Sequence, residues 1–325
     1  MISFKEGEMR FLLAKTRITV LLFIIPILSF LAACVTTPSP APITEPKLEP
    51  TITSTTEKLN VHFIKMKFFG DAILIDLGKT EILIDGGHPR SGVATYLRNY
   101  VDGPLEAMVV THPHPDHIGG LVGVLREFEV NQIWLNGDIP LEDEPFIKLY
   151  KVFESLVNAE GASIHEARRG QTIDIGILSF HVLHPDTLVK HKKNVSYDSR
   201  CISMNNNSIV LRLRYGNISF LFTGDAHKET ENKILRAGLE VQADILKVGH
   251  HASAWSSSDK FRKSVKPKVA VYMAGEKQPK QGPKKPHQKT IAALKKVGAE
   301  VYGTTTHGTI IISTDGKTYT IETQK

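Results

Sequence analysis

The chain has 325 residues, 41% of them hydrophobic and 23% charged, with a net charge of +6. Those proportions exclude a disordered or collagen-like chain and allow one large domain or two small ones. A mild positive charge does not by itself demand a nucleic-acid partner, and two cysteines, Cys34 and Cys201, exclude a disulfide framework.

Lys5, Arg10, Lys15 and Arg17 precede an apolar run, Ile18–Leu31, that Thr19, Pro26 and Ser29 interrupt. A basic region, a short apolar stretch and small residues describe an export signal, too short and too broken for a comfortable membrane span. Residues 1–33 are therefore expected to be a signal peptide, with Met9 as a second candidate start. Leu31-Ala32-Ala33-Cys34 resembles the lipobox of bacterial lipoproteins. That resemblance implies lipidation of Cys34 and a membrane-anchored position at the cell surface or periplasmic side. An uncleaved signal anchor would leave the protein on the same side. Residues 34–58, rich in proline and threonine, cannot bury a core and are expected to be an extended tether.

The folded domain is expected over residues 59–325. Asn60–Phe69 alternates like a strand, and Ile73–Leu77 and Glu81–Gly87 are short apolar strands around a tight turn. Arg90–Tyr100 suits a helix and Glu106–Val110 a strand. That strand leads into Thr111-His112-Pro113-His114-Pro115-Asp116-His117-Ile118-Gly119-Gly120, and a helical segment, Leu121–Arg126, leads out. Asn131–Leu135 is expected as a strand and Glu144–Ala159 as a helix. Ser163–Glu166, Gln171–Ile175 and Leu178–Leu183 follow as strands of a second half. Val189–Asn207 is expected to be a long polar loop, of the length that functional lids have. Then come strands Ile209–Arg214 and Ile218–Phe222, a helix His227–Leu235, strands Ala243–Val248 and Val265–Met273, and a helix Thr290–Val297. Three terminal strands, the last Tyr319–Glu322, are expected to form a meander.

The chemistry concentrates at strand ends, where α/β folds place it. In an extended loop, side chains two apart point the same way, so His112 and His114 can reach one cation while Asp116 and His117 turn toward a second. Pro113 and Pro115 stiffen the loop and lower the entropy lost when ligands are fixed. Asp225, at the end of Ile218–Phe222, is placed to bridge two metals or else to cap the following helix. Asp85 is placed to brace the metal loop or to cap a turn. Of the vicinal pair His250-His251, one is expected to bind metal and the other to contact substrate or the attacking water. The sequence leaves their order open; His250 is placed with the metal set and His251 with the substrate.

His-Pro-His-Pro-Asp-His resembles the His-x-His-x-Asp-His signature of the metallo-β-lactamase superfamily. The resemblance implies an α/β fold, a four-layered αββα sandwich with one or two metal ions at its rim. It also implies one more histidine at a strand end, for which His184 is the candidate beside His112 and His114. Asn205-Asn206-Asn207-Ser208-Ile209-Val210, Leu221-Phe222-Thr223-Gly224-Asp225-Ala226 and Leu246-Lys247-Val248-Gly249-His250-His251-Ala252-Ser253 narrow the likeness. They are similar to the soluble domain of the ComEC/Rec2 competence family, a branch associated with nuclease and phosphodiester chemistry. Ala252 departs from the glycine that this family usually carries there.

The resulting expectation is an exported, membrane-tethered two-metal hydrolase of phosphodiesters, in nucleic acid or cell-wall polymer. Its metal ligands would be His112, His114, Asp116, His117, His184, Asp225 and His250. Asp116, His250, His251 and Asn206 would act in catalysis, and His251, Asn207 and His287 would bind substrate. Two divalent cations would serve, zinc first, with manganese or iron as alternatives. The lysine-rich loop Lys277–Lys289 would draw in a polyanion, and no protein partner is implied. Two other readings compete: a phosphorylcholine-esterase-like wall hydrolase and a non-catalytic surface module that binds DNA or polymer. A lactonase or β-lactamase is a third.

Overall fold

The computed structural model describes residues 57–275 and 285–325. The expected signal peptide, Cys34, most of the tether and Lys277, Lys280 and Lys284 lie outside the described residues.

The first half contains β1 (Leu59–Phe63), β2 (Ile73–Leu77), β3 (Thr80–Ile84), α1 (Val93–Leu97), β4 (Ala107–Val110), α2 (Pro115–Ile118), α3 (Leu121–Val124), β5 (Gln132–Leu135), α4 (Ile147–Ala159) and β6 (Ser163–Glu166). The second contains β7 (Thr172–Ile175), β8 (Leu178–His184), α5 (Tyr197–Asn205), β9 (Val210–Tyr215), β10 (Ile218–Phe222), α6 (Lys228–Arg236), β11 (Ile245–Lys247), a 3₁₀ turn (Gly249–Ala252), α7 (Asp259–Val265), β12 (Val269–Tyr272), α8 (Gln288–Lys296), β13 (Glu300–Gly303), α9 (Thr304–His307), β14 (Ile310–Thr314) and β15 (Tyr319–Thr323). They form two mixed sheets, ordered β15-β14-β1-β2-β3-β4-β5-β6 and β13-β12-β11-β10-β9-β8-β7.

Strand periodicity explains the layering. Phe220 and Phe222 of β10 join the core shared with the first sheet, whereas Leu221 between them packs with Ile234, Phe261 and Leu294 of α6, α7 and α8. Val269 and Val271 of β12 likewise face one way and Ala270 the other. On the first sheet, Val93, Leu97, Leu121 and Phe153 bring α1, α3 and α4 into the same core as Val61 and Phe63. Helices cover both sheets, which is the αββα sandwich expected. β3 to β6 and β10 to β13 run parallel, and the inner strands β4 and β12, buried on both faces, are continuously apolar.

Several expectations are corrected. Ser163–Glu166 belongs to the first sheet, paired parallel with β5, because a short apolar run does not specify which sheet it joins. The terminal strands form no meander: β13 pairs with β12, while β14 and β15 extend from β1 in the other sheet. The expected loop Val189–Asn207 contains α5, which Ser196 caps by accepting the Ser199 N–H. The strand expected from Val265 begins only at Val269, since Val265 closes α7. The strand from Asn60 ends at Phe63, so that the segment reaching Phe69 bends toward the site. Among the described residues, no helix is long and apolar enough to cross a membrane.

Candidate metal centre

Asp85 closes β3 in the left-handed backbone region, with φ 58°. Its carboxylate accepts the Thr111 N–H at 2.8 Å and the Thr111 hydroxyl at 2.7 Å, and lies 2.8 Å from His117 Nδ1. It thus ties the first residue of the histidine loop to the last. An Nδ1–H donated to Asp85 leaves the His117 Nε2 lone pair facing the site, as metal-binding histidines need. Backbone contact completes the brace: Gly86 N–H donates to His117 O at 2.7 Å and Gly120 N–H to Gly87 O at 2.9 Å. A Cβ on Gly120 would fall 2.0 Å from Gly86 O, so this crossing requires glycine. Asp116 and His117 lie on the single turn of α2, with Pro115 in its first turn, and not on extended loop.

Asp116, His117, Asp225 and His251 are buried, and each presents one ligand atom within 4.8 Å of the others. His251 Nε2 is 3.2 Å from Asp116 Oδ2 and 3.4 Å from Asp225 Oδ2, and His117 Nε2 is 3.4 Å from Asp225 Oδ2. On its other side, His251 Nδ1 lies 3.0 Å from Met273 O and 3.1 Å from Asp71 Oδ1. Two acceptors there fix the Nδ1–H and free Nε2. Asp71 in turn pairs with the buried Lys247 ammonium. Asp225 does not cap α6, whose N-cap is His227, so its carboxylate remains available to the cluster.

His112 and His114 stand outside this group, with His112 Nε2 and His114 Nδ1 converging to 2.9 Å. His114 Nε2 and His117 Nε2 make no hydrogen bond, and neither does Asp225 Oδ1.

Electrostatics mark the same spot. Burial opposes charge on His117, yet the Asp225 and Asp85 carboxylates hold its pKa well above the usual imidazole value. Burial opposes charge on His251 too, but Asp225 and Asp71 push its pKa up to about 10. Burial raises the Asp116 and Asp225 pKa values; the facing histidines more than reverse this and hold both carboxyls below the ordinary range. The carboxylates therefore draw two protons onto buried rings, a demand for positive charge that a divalent cation would meet by displacing them. The free ring nitrogens and the unpaired Asp225 oxygen are donors of the type such a cation takes, so the residues fit a metal. His112 lies well below its usual pKa and His114 falls to about 4, chiefly through burial, so both rings are neutral and able to ligate.

Four expectations change. His251, not His250, joins the carboxylates. Three successive positive φ values, 47° at His250, 53° at His251 and 61° at Ala252, turn the chain so that the second ring enters the cluster. His250 lies 3.7 Å from Asp225 Oδ2 and stacks on His227, with its Nδ1 2.8 Å from His227 Nε2. His184 has Nε2 engaged with Asn206 O at 2.8 Å, its Nδ1 makes no hydrogen bond, and it is not among the four clustered ligand groups. Asn206 and Asn207 are occupied too. Asn206 Oδ1 accepts the Thr230 hydroxyl at 3.1 Å, and the Asn207 amide donates to Asp138 at 2.8 Å and to Val189 O at 3.0 Å. Asn205 lines the site instead, 3.2 Å from His227. His287 precedes α8 and lines a separate groove with Ser257 and Arg262.

A cleft of about 610 Å³ opens over the cluster. Asp116, Asp225, Asn205, His227 and His250 face it, with Phe69, Tyr197, Trp255 and Lys285. Sequence reasoning overlooked His227 as a site residue, although it lies two residues beyond Asp225 at the same strand end.

We expect His251→Ala to lose about one of two bound cations and His250→Ala to keep both. Metal analysis of the two purified variants checks this; equal losses would contradict the assignment.

Residues 67–197 match the family model described as the metallo-beta-lactamase superfamily. Over 206 residues the chain is 32% identical to ComE operon protein 3 of Bacillus subtilis, a match spanning 63% of this chain and 24% of that protein. Over 209 residues it is 25% identical to Recombination protein 2 of Haemophilus influenzae, spanning 64% of this chain and 22% of that protein. The matches thus span about a quarter of the curated relatives' length. Among solved structures, the metallo-beta-lactamase fold protein YhfI from Bacillus subtilis aligns at TM-score 0.47 and 17% identity, covering 76% of this chain and 96% of that one. A metallo hydrolase from the archaeon Ignicoccus hospitalis aligns at TM-score 0.46 and 14% identity, covering 82% and 100%.

Proposed function

We propose that this chain, whose residues 67–197 match the metallo-β-lactamase model and which is similar to competence proteins of the ComEC kind, is a metal-dependent phosphodiesterase of nucleic acid. The observation that carries this reading is the buried cluster of Asp116, His117, Asp225 and His251 at the floor of an open cleft. Those four would hold one divalent cation, and His112 and His114 would offer their ring nitrogens to a second. Such cations supply Lewis acidity and a nucleophile at neutral pH.

The chain's own groups do the rest. Asp85 and Asp71 hold the His117 and His251 rings in the tautomer that ligates. Asn205, His227 and His250 offer polar atoms toward the cleft where charge develops on a phosphoryl oxygen. Lys285 gives the cleft a positive wall suited to phosphate. Zinc suits the imidazole-rich set, with manganese or iron as substitutes. We propose further that the signal-like N-terminus exports the domain and that lipid on Cys34 tethers it to a membrane.

With divalent cation present, the protein should hydrolyse bis-p-nitrophenyl phosphate and DNA, and DNA cleavage should weaken as salt rises. Assays against phosphodiesters, lactones and β-lactams test this. Turnover of lactones or lactams alone would overturn the substrate class.

A further inference from the structure

The cleft over the cluster has an apolar side that the chemistry at its floor does not explain. α5 lines it with Tyr197, Cys201 and Asn205 at four-residue spacing and with Asp198 and Ile202 in step, so one helical face is turned to the cleft. That face is open to solvent, with Tyr197 43% and Ile202 42% exposed. Trp255, from a different segment, lines the same cleft and is 58% exposed. Its backbone is held at both ends: its N–H donates to Ser253 Oγ at 2.9 Å, and its carbonyl accepts the Lys228 N–H at 3.0 Å. A fixed backbone carrying an uncovered indole is a preorganised platform, which costs little entropy when a ligand covers it. Large apolar side chains gathered around a polar floor mark a ligand with an apolar part.

Charge narrows that part. Lys285 lines the cleft and brings a positive charge to its wall. A cationic head group would meet that charge and any cation that the residues of the floor would hold. An uncharged planar ring attached to a phosphate meets neither obstacle.

We propose that Tyr197, Ile202 and Trp255 form a slot for an unstacked nucleobase beside the scissile phosphate, making single-stranded nucleic acid the preferred substrate over duplex. In a duplex both faces of each base are covered by neighbours, so an aromatic platform engages only a base released from its stack. The proposal deepens the phosphodiesterase reading and rests on it for the phosphate's position.

Binding and cleavage are measured separately. Fluorescence anisotropy of a labelled, cleavage-resistant phosphorothioate deoxythymidine 12-mer follows binding to the protein as purified with its metal, beside the same 12-mer carrying abasic residues. Wild type should prefer the base-bearing strand by about five- to hundredfold, the range that base–aromatic stacking confers. Trp255→Ala and Tyr197→Ala should collapse that preference, and Trp255→Phe should restore it. With divalent cation, single strands should be cut faster than the matching duplex. Equal affinity of wild type for the two 12-mers would overturn the slot, as would an unchanged preference in Trp255→Ala. So would a Trp255→Ala defect seen with phosphocholine and not with the 12-mer. Cleavage without base preference would remove the slot and keep the phosphodiesterase. Base-dependent binding with no cleavage of any DNA would remove the phosphodiesterase and keep the slot.

Discussion

Asp116→Ala is expected to reduce phosphodiester turnover to background and to remove about one of two bound cations. Loss of a group that merely orients a metal ligand costs roughly 10–100-fold in affinity or activity. Asp116 presents its own oxygen to the cluster, 3.2 Å from His251 Nε2, so its loss should cost more than that range. The fold should survive, because His251 keeps Asp225 and Asp71, and Asp85 still ties Thr111 to His117. Steady-state kinetics, metal analysis and circular dichroism on the same preparation separate the two effects. Full activity in Asp116→Ala would remove this residue from the centre.

The second large effect is on stability. Lys247 and Asp71 are each 1% exposed and pair with one another. Asp71→Ala would leave a buried ammonium with only the carbonyls of Gly224 at 3.3 Å and Val248 at 3.1 Å. Breaking a buried pair from one side costs about 3–5 kcal/mol. At about 2–4 °C per kcal/mol for a domain of this size, the melting temperature should fall by roughly 6–20 °C. The double variant Asp71→Ala with Lys247→Met should recover part of the loss, since no uncompensated charge then remains. Thermal melts of both variants decide it; a fall of under a degree in Asp71→Ala would contradict the account. Because Asp71 also faces His251 Nδ1, the single variant should bind metal more weakly, a deficit that the double variant would not repair.

What could be read from the sequence depends on how far apart the cooperating residues lie. His112, His114, Asp116 and His117 are nearly consecutive, and the strand before them announces where they sit. Asp225 and the His250-His251 pair were legible for the same reason, as polar groups closing apolar strands. Which ring of the pair turns inward was not, because two adjacent histidines differ only in backbone direction, and three successive positive φ values set that. The Asp71–Lys247 pair joins residues from the two halves of the chain, and nothing local couples them. α5 was not legible because its sequence, Tyr197–Asn205, is mostly polar and carries too few apolar side chains to show a core-facing stripe. Nothing local separates three consecutive asparagines, so Asn206 and Asn207 could not be told from Asn205; hydrogen bonds to Thr230 and Asp138 turn them away from the cleft. The sandwich itself followed from the histidine motif, whereas the sheet each short strand joins depends on long-range pairing that no local run encodes.

The central claim is that Asp116, His117, Asp225 and His251, with His112 and His114, form a divalent-metal centre. Metal content of the protein purified without chelator, measured by mass spectrometry together with the melting temperature before and after chelation, tests it most directly. About two divalent cations per chain, and a melting temperature that falls when they are stripped, is the expected result, because a ligand that binds only the folded state stabilises it. Metal at background, with melting unchanged by chelator and by added Zn²⁺ or Mn²⁺, would contradict it.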